Sequence, residues 1–321
     1  MRTFAQGEID FDASILGAHV IANNSTTLAG VVFGLVKVDN ATAGQKPTVT
    51  FTLRDKAGNP IAPSTMTRLS LILAGANSDY TNYVSESGLT ASGGNGTYTY
   101  TFTNAIPATA TGSYTVAIEG YKSVVLQPNT TKQVTARDIG KNQQIAFSVD
   151  GSATAARRVD VSIDLCNRCH VSLGPHGGTR NQTTQCPICH NPTNTAAGNP
   201  PQGINFATLV HKIHRGSSLV NGFSVGTTSF NTVVFPGDLR DCAVCHINSS
   251  EQLPLVGPRI SVNDPKAYIP VMGAATAACL ACHDTKVAAS HALANTTPLG
   301  ETCDTCHGTS GEFSVSIVHA R

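Results

Sequence analysis

The sequence lacks any apolar run long enough to cross a membrane, and it has no cluster of like charges. Its longest apolar runs, such as Val31–Val36, fall far short of the roughly 20 residues that a transmembrane helix needs. With 21 basic and 20 acidic residues, the net charge of +1 gives no reason to expect nucleic acid as a partner. No basic and apolar leader precedes Met1–Asp10, so we expect any signal peptide to have been removed from this numbering.

Cysteine is absent from the first half of the chain. All ten cysteines and ten of the eleven histidines follow Leu165, and His19 is the one histidine before it. This asymmetry predicts two domains, 1–155 and 156–321, joined through the small and polar segment Asp150–Arg158.

The first predicted domain is all-β, a Greek-key sandwich or split barrel. Short stretches rich in Val, Thr, Tyr, Ile and Phe alternate in polarity, which is typical of half-buried antiparallel strands. Turn residues separate them, as in Asp55–Pro60 and Ala91–Gly96. The predicted strands are Gly30–Asp39, Thr48–Asp55, Thr67–Gly75, Gly96–Thr103, Gly112–Tyr121, Gln144–Gly151 and, more weakly, Arg157–Asp164.

The second predicted domain is rich in loops and has little regular structure. Two segments have helical patterns, Asn205–Gly216 and Ala274–Asn295. Large apolar side chains are too few for an ordinary core, so we expect something other than protein to fill this domain.

A repeated motif indicates what fills this domain. The pattern Cys-x-x-Cys-His occurs five times and uses all ten cysteines. The first cysteines are Cys166, Cys186, Cys242, Cys279 and Cys303, the second are Cys169, Cys189, Cys245, Cys282 and Cys306, and the histidines are His170, His190, His246, His283 and His307. In c-type cytochromes the two thiols attach a haem as thioethers, and the histidine ligates its iron. The sequence therefore predicts five covalently attached haem c groups.

Three other uses of paired cysteines explain this pattern less well. Structural zinc takes two such pairs, but it gives no reason for a histidine after every second cysteine. Disulfides within each pair would make five strained local bridges. A redox Cys-x-x-Cys site needs one active pair rather than five. From Cys166 onward each haem has about 31 residues, so the porphyrins are expected to form much of the core and to pass electrons from ring to ring.

Five haems with two histidine ligands each require five further histidines, and six are present. His176 is followed by two glycines, which allow the backbone to pass close to a ring. His211 and His214 lie three residues apart on a predicted helix, so they share a face and are expected to reach two adjacent haems. His291 follows the fourth motif on a helical pattern.

The other two candidates are His319 and His19, and each has an alternative role. His319 lies at the end of the chain, where a free tail is the alternative. His19 belongs to the β domain, and we expect it either to be surplus or to ligate a haem across the domain interface or in a neighbouring subunit. No motif carries Lys in place of His, as a catalytic multihaem reductase would. An electron carrier with no catalytic residues is therefore favoured over a reductase with an open iron site.

The order of these motifs resembles that of the OmcA/MtrC-type outer-membrane decahaem cytochromes of metal-reducing bacteria. The resemblance extends from the opening "GAHVIAN" and "PTVTFTLRDKAGNP" through "CNRCHVSLGPHGG" and "FATLVHKIHRG" to the final "VHAR". It implies a β-barrel domain before a pentahaem domain, with His176, His211, His214, His291 and His319 as the second ligands. It also implies electron transfer at the cell surface to metal oxides, soluble shuttles, other multihaem cytochromes or an outer-membrane conduit.

Two departures from that family are visible. Family members carry ten haems in two halves, whereas this sequence predicts five and resembles the C-terminal half. The β domain has no cysteine pair, and no cysteine is left over for a lipid anchor. We expect an exported protein, extracellular or at the outer-membrane surface, and the alternative is a subunit of a cytochrome filament in which haems stack or are ligated between subunits.

Overall fold

The computed structural model describes residues 28–198, 201–265 and 271–320. Their contacts divide the chain into two compact units. The first contains the chain up to Asn77, Tyr83–Arg157 and Cys166–Gln185, and the second contains Ser78–Asn82, Arg158–Leu165 and the chain from Cys186. Within the described ranges, no helix is both long and apolar enough to span a bilayer.

Two antiparallel sheets form the β region. The first has the order β1-β2-β6-β5, and in the second β4, β3, β7 and β8 are neighbours while β9 also pairs with β7. The strands are β1 Val32–Asp39, β2 Thr48–Arg54, β3 Arg68–Gly75, β4 Asn82–Ser87, β5 Ser92–Gly94, β6 Thr97–Thr101, β7 Ser113–Leu126, β8 Val134–Ile139 and β9 Gln143–Ser148.

The core of the β region is built from alternating side chains of β2, β3, β6 and β7. Phe51, Leu53, Leu71 and Ile118 are fully buried, and Phe102 beyond β6 joins the same cluster. Burying each such side chain contributes about 1.5–3 kcal/mol relative to leaving it in water. The prediction of an all-β domain followed by a loop-rich, helix-poor region is confirmed.

Six of the seven predicted strands match β1, β2, β3, β6, β7 and β9, while the weakest one was wrong. In Arg157–Asp164 only Val161 makes an isolated bridge, to His246, and helix α1 begins at Ile163. The sequence did not predict β4, β5 or β8. These strands are largely exposed and polar, so pairing with a neighbouring strand, rather than a buried face, defines them.

The remaining chain has short helices and two-residue strands. The helices are α1 Ile163–His170, α2 Cys186–Cys189, α3 Phe206–Arg215, α4 Ala274–Cys279, α5 Lys286–Ala294, α6 Asp304–His307 and α7 Val315–Val318. The hairpins are β10 Thr195–Ala196 with β11 Gln202–Gly203, β12 Ser224–Val225 with β13 Thr228–Ser229, and β14 Thr296–Thr297 with β15 Gly300–Glu301. Helix α3 confirms one prediction, whereas the predicted helix Ala274–Asn295 is split into α4 and α5, with the Thr285 side chain capping α5.

Candidate haem-binding site

Each Cys-x-x-Cys-His motif folds into a helical turn. In four motifs the histidine N–H donates to the carbonyl of the first cysteine over 2.9 Å, and the first motif lies within α1. Residues i, i+3 and i+4 of such a turn lie on one face. Two thiols and one imidazole are therefore presented on the same side, as the attachment of a haem requires.

The ten cysteine side chains are half-buried or exposed. No disulfide joins any of the ten. Although Cys279 is exposed, desolvation by the protein around its thiol, followed by nearby Cys303, Glu301 and Cys282, raises its pKa to about 11. A redox-active thiol has a lowered pKa, so Cys279 does not resemble one. In the part of the chain that the structure describes, no three His, Cys, Asp or Glu side chains converge as metal ligands.

Three motif histidines each face one histidine from outside the motifs. The ring centroids are 6.1 Å apart for His211 and His246, 6.0 Å for His283 and His319, and 6.1 Å for His291 and His307. A metal lies about 2 Å from a ligating nitrogen, which is about 1 Å from its ring centre, so two imidazoles on opposite sides of one iron lie about 6 Å apart. The spacing of all three pairs fits a haem iron between the rings.

Hydrogen bonds fix the tautomer of several of these rings. The Nδ1 atoms of His190 and His307 lie 3.0 and 2.8 Å from the carbonyls of Ile204 and Phe313. His214 and His319 point Nδ1 at the carbonyl four residues earlier, over 2.9 Å in each case. A carbonyl accepts only from N–H, so Nδ1 carries the proton and Nε2 keeps the lone pair that a metal needs.

Both histidines of α3 are desolvated by the surrounding protein. Desolvation by the surrounding protein, followed by the proximity of His246 and His214, lowers the pKa of His211 to about 4. Desolvation also lowers the pKa of His214, whose ring packs edge-on against Phe235 at 5.6 Å. Both imidazoles are thereby kept neutral near pH 7, which is the form that ligates a metal.

His176 lies in a segment that is tied to the β strands of its own unit. His176 has φ 58°, and the following Gly177 and Gly178 have φ 71° and 90°, in the left-handed region that favours glycine. The Gly177 carbonyl accepts a hydrogen bond from Arg137 of β8 over 2.9 Å. Buried Asn142 donates to the Thr179 carbonyl over 2.8 Å.

A buried carboxylate also holds this segment. Glu119 of β7 is fully buried and accepts from Arg68 at 2.7 Å, from Arg180 at 3.1 and 3.3 Å, and from Gln185 at 3.3 Å. Its charge is therefore paired and hydrogen-bonded, as a buried charge must be. The β strands thus position the segment between the first two motifs.

Motifs three, four and five lie close to one another. Desolvation is the main cause of the raised pKa of Cys279 and of Cys282, and the nearby Cys303 and Cys242 thiols, respectively, raise these pKa values further. The Glu301 carboxylate, two residues before Cys303, accepts from the backbone N–H groups of Ala275 and Thr276 at the start of α4. A carboxylate there stabilises a helix N-terminus, so the approach to motif five caps the helix of motif four.

Several supporting residues were missed by the sequence analysis. Glu119, Arg180 and Ser250 gave no motif signal, although Ser250 follows a motif histidine at a spacing of four. The backbone acceptors of Ile204 and Phe313 have no side-chain signature at all. His19 lies outside the described residues.

A family model described as "Outer membrane cytochrome MtrC/MtrF-like, domains II/IV" matches residues 158–320, about half of the chain. The chain belongs to this family. The cytochrome is also similar in fold to two solved structures. With MtrC from Shewanella baltica OS185 it shares 23% identity and a TM-score of 0.53 over 89% of this chain and 44% of that one. With the outer-membrane decahaem cytochrome OmcA it shares 18% identity and a TM-score of 0.58 over 91% and 49%.

The cytochrome thus spans less than half the length of either solved chain. At these identities the two similarities show a shared fold. No curated protein matches the sequence.

Proposed function

We propose that this cytochrome carries five c-type haems, each with two histidine ligands, and conducts electrons along them outside the cell. The observation that carries the proposal is the spacing of three motif histidines from three other histidines, 6.0–6.1 Å between ring centroids. Bound haem supplies an iron that is reduced and reoxidised by one electron. The chain's contribution is to attach, orient and enclose it.

Of the ten described histidines, five belong to the motifs and five are candidate second ligands. The pairs are His246 with His211, His283 with His319, and His307 with His291. His170 and His190 are the two motif histidines outside these pairs. In this proposal His176 and His214 are the second ligands of the haems of the first two motifs, as the family resemblance implies, and His19 is surplus.

Close packing supports conduction between haems rather than isolated sites. The Cys303 thiol lies near Cys279 and the Cys242 thiol lies near Cys282, so motifs three, four and five are neighbours. His307 is also near His283, whose pKa is lowered by desolvation, then by His319, Arg215 and His307. Apolar side chains such as Val287 and Leu299 are 80% and 100% exposed in the protein fold. Porphyrin faces, which are apolar, would cover part of such surface.

Saturated iron favours electron transfer over binding of a substrate to iron. We therefore propose a carrier that delivers electrons to metal oxides, soluble shuttles, other multihaem cytochromes or an outer-membrane conduit. Its location would be the outer-membrane surface or the extracellular space. The division at 155/156, with a β domain before a pentahaem domain, is part of the same proposal.

The test compares His319→Ala with His19→Ala in matured protein. We expect His319→Ala to convert one low-spin haem to high spin, because His283 loses its opposing ligand, and His19→Ala to leave five low-spin haems. Magnetic circular dichroism and haem quantification would measure both. Five low-spin haems in His319→Ala would contradict the assignment.

A filament subunit is the second candidate, and it is the surplus His19 that favours it. In that case His19 would ligate a haem of a neighbouring copy, and His19→Ala would lose one low-spin haem only in assembled material. Electron microscopy and spectra of the same sample distinguish the two. Discrete particles with a spectrum unaffected by His19→Ala would exclude this use of His19.

A further inference from the structure

His246 has a ring hydrogen bond unlike those of His190 and His307, because its acceptor is a side chain. Its Nδ1 lies 2.9 Å from Ser250 Oγ, and Ser250 Oγ lies 2.6 Å from the Asp160 carbonyl. The carbonyl has no proton, so the Ser250 hydroxyl must donate to it. The hydroxyl oxygen is then left to accept the Nδ1 proton of His246, which leaves Nε2 unprotonated.

The Asp160 residue, whose carbonyl accepts from Ser250, is itself held in place. The Asp160 carboxylate pairs with Arg158 at 3.4 Å and with Arg259 at 3.1 Å. The Asp160 carbonyl also accepts from the Ile247 N–H over 3.1 Å, beside the bridge between Val161 and His246. Asp160, which accepts the hydrogen bond of Ser250, is therefore fixed through both its backbone and its side chain.

We propose that Ser250 is a positioning residue, which sets the ring orientation of His246 and its strength as an electron donor toward the haem of the third motif. This inference rests on the proposed function, in which His211 and His246 ligate one iron. Donation of the Nδ1–H hydrogen bond to Ser250 makes the ligating Nε2 more basic, and the Asp160 carbonyl strengthens that effect by polarising the hydroxyl. A more basic ligand stabilises ferric iron and lowers the reduction potential.

The same bond restricts rotation of the His246 ring. The planes of His211 and His246 are 26° apart, whereas those of the other two pairs are 61° and 89° apart. Near-parallel imidazoles split the iron d orbitals most, and the ferric haem then gives a rhombic EPR signal. That signal identifies the haem that a Ser250 variant should affect.

The experiment compares Ser250→Ala, Ser250→Thr and the neighbouring control Ser249→Ala in fully matured cytochrome. Ser250→Ala should keep five haems, move one of the five one-electron steps to higher potential, and alter the rhombic signal. Ser250→Thr, which retains the hydroxyl, and Ser249→Ala should match the wild type. A redox titration and an EPR spectrum of Ser250→Ala superimposable on those of the wild type would overturn the proposal.

Two further variants separate the reasons for failure. Ser250→Val has the shape of Ser250→Thr without the hydroxyl. If Ser250→Ala does not mature, the reduction potentials of these two variants are compared instead. Equal potentials would reject the role of the hydroxyl. His246→Ala tests the ligand pairing itself. If His246→Ala gives one high-spin haem while Ser250→Ala has no effect, only the role of Ser250 is refuted. Five low-spin haems in His246→Ala would refute both the pairing of His246 with His211 and the role of Ser250.

Discussion

The imidazole rings of His291 and His307 are perpendicular, with 89° between their planes and 6.1 Å between their centroids. His211 and His246 have the same separation, but their planes differ by 26°. Two axial imidazoles donate π-electron density perpendicular to their own planes, so parallel rings act on one iron d orbital and crossed rings act on two. In the proposed assignment these two pairs would therefore give electronically different haems.

We expect this difference in EPR spectra of the oxidised cytochrome. The His211–His246 haem should give a rhombic low-spin signal, and the His291–His307 haem a signal with one large g value, because crossed planes leave the d orbitals nearly degenerate. His291→Ala should abolish the second signal and add one high-spin haem, with His19→Ala as the control. Loss of the rhombic signal instead would show that the pairs are assigned wrongly.

Removing both thiols of one motif should remove one haem. For Cys303→Ser combined with Cys306→Ser we expect about four-fifths of the wild-type haem absorbance per chain, since each motif attaches its own haem. Intact mass and pyridine haemochrome absorbance measure this, and Thr305→Ser within the same motif is the control. Full haem content in the double variant would mean that this motif attaches none.

Glu119→Gln should destabilise the first unit and disturb the His176 segment. The substitution leaves Arg68 and Arg180 without their carboxylate, and both are partly accessible, so we expect about 2 kcal/mol rather than the full cost of a buried charge. Denaturant unfolding measures the loss, and the low-spin haem count reports on His176. The exposed Glu312→Gln serves as the control, and equal stability of the two variants would contradict the prediction.

The β region should lose stability in acid, because the ionised form of Glu86 that stabilises it becomes protonated. Desolvation opposes its ionisation, but hydrogen bonds from the Thr103 and Asn104 backbone, the Asn104 side chain and the Tyr100 hydroxyl lower its pKa to about 2. Because this pKa lies below that of the unfolded chain, the carboxylate contributes stability above about pH 4.5 that is lost as the pH falls through about 2.

The measurement is the free energy of unfolding of wild type and Glu86→Gln against pH. Since Glu86 is only partly buried, we expect a difference of about 1 kcal/mol near neutral pH. The difference should shrink below about pH 4.5. A difference that does not change with pH would show that the ionised form of Glu86 is not what stabilises this region.

Sequence patterns predicted the strands with a buried face and missed those defined by pairing. In β2, Phe51 and Leu53 alternate with less buried residues because they point into the core, and this alternation is visible in the sequence. The apolar run of β3 is visible for another reason, because β3 is buried along nearly all of its length. The exposed β4 has no such pattern. Helix α3 was predicted from its periodicity, whereas the break between α4 and α5 depends on the cap at Thr285, which the apolar pattern conceals.

The sequence by itself determined where two thiols and an imidazole meet, because positions i, i+3 and i+4 of a helical turn lie together without help from the rest of the chain. It also supplied the candidate second ligands, His176, His211, His214, His291 and His319, but not their partners. Only the tertiary structure decided that His319 faces His283 and that His211 faces His246, and at what angles. These relationships join residues from different parts of the chain, and they depend on packing and on ring hydrogen bonds such as that of Ser250, which no local spacing encodes.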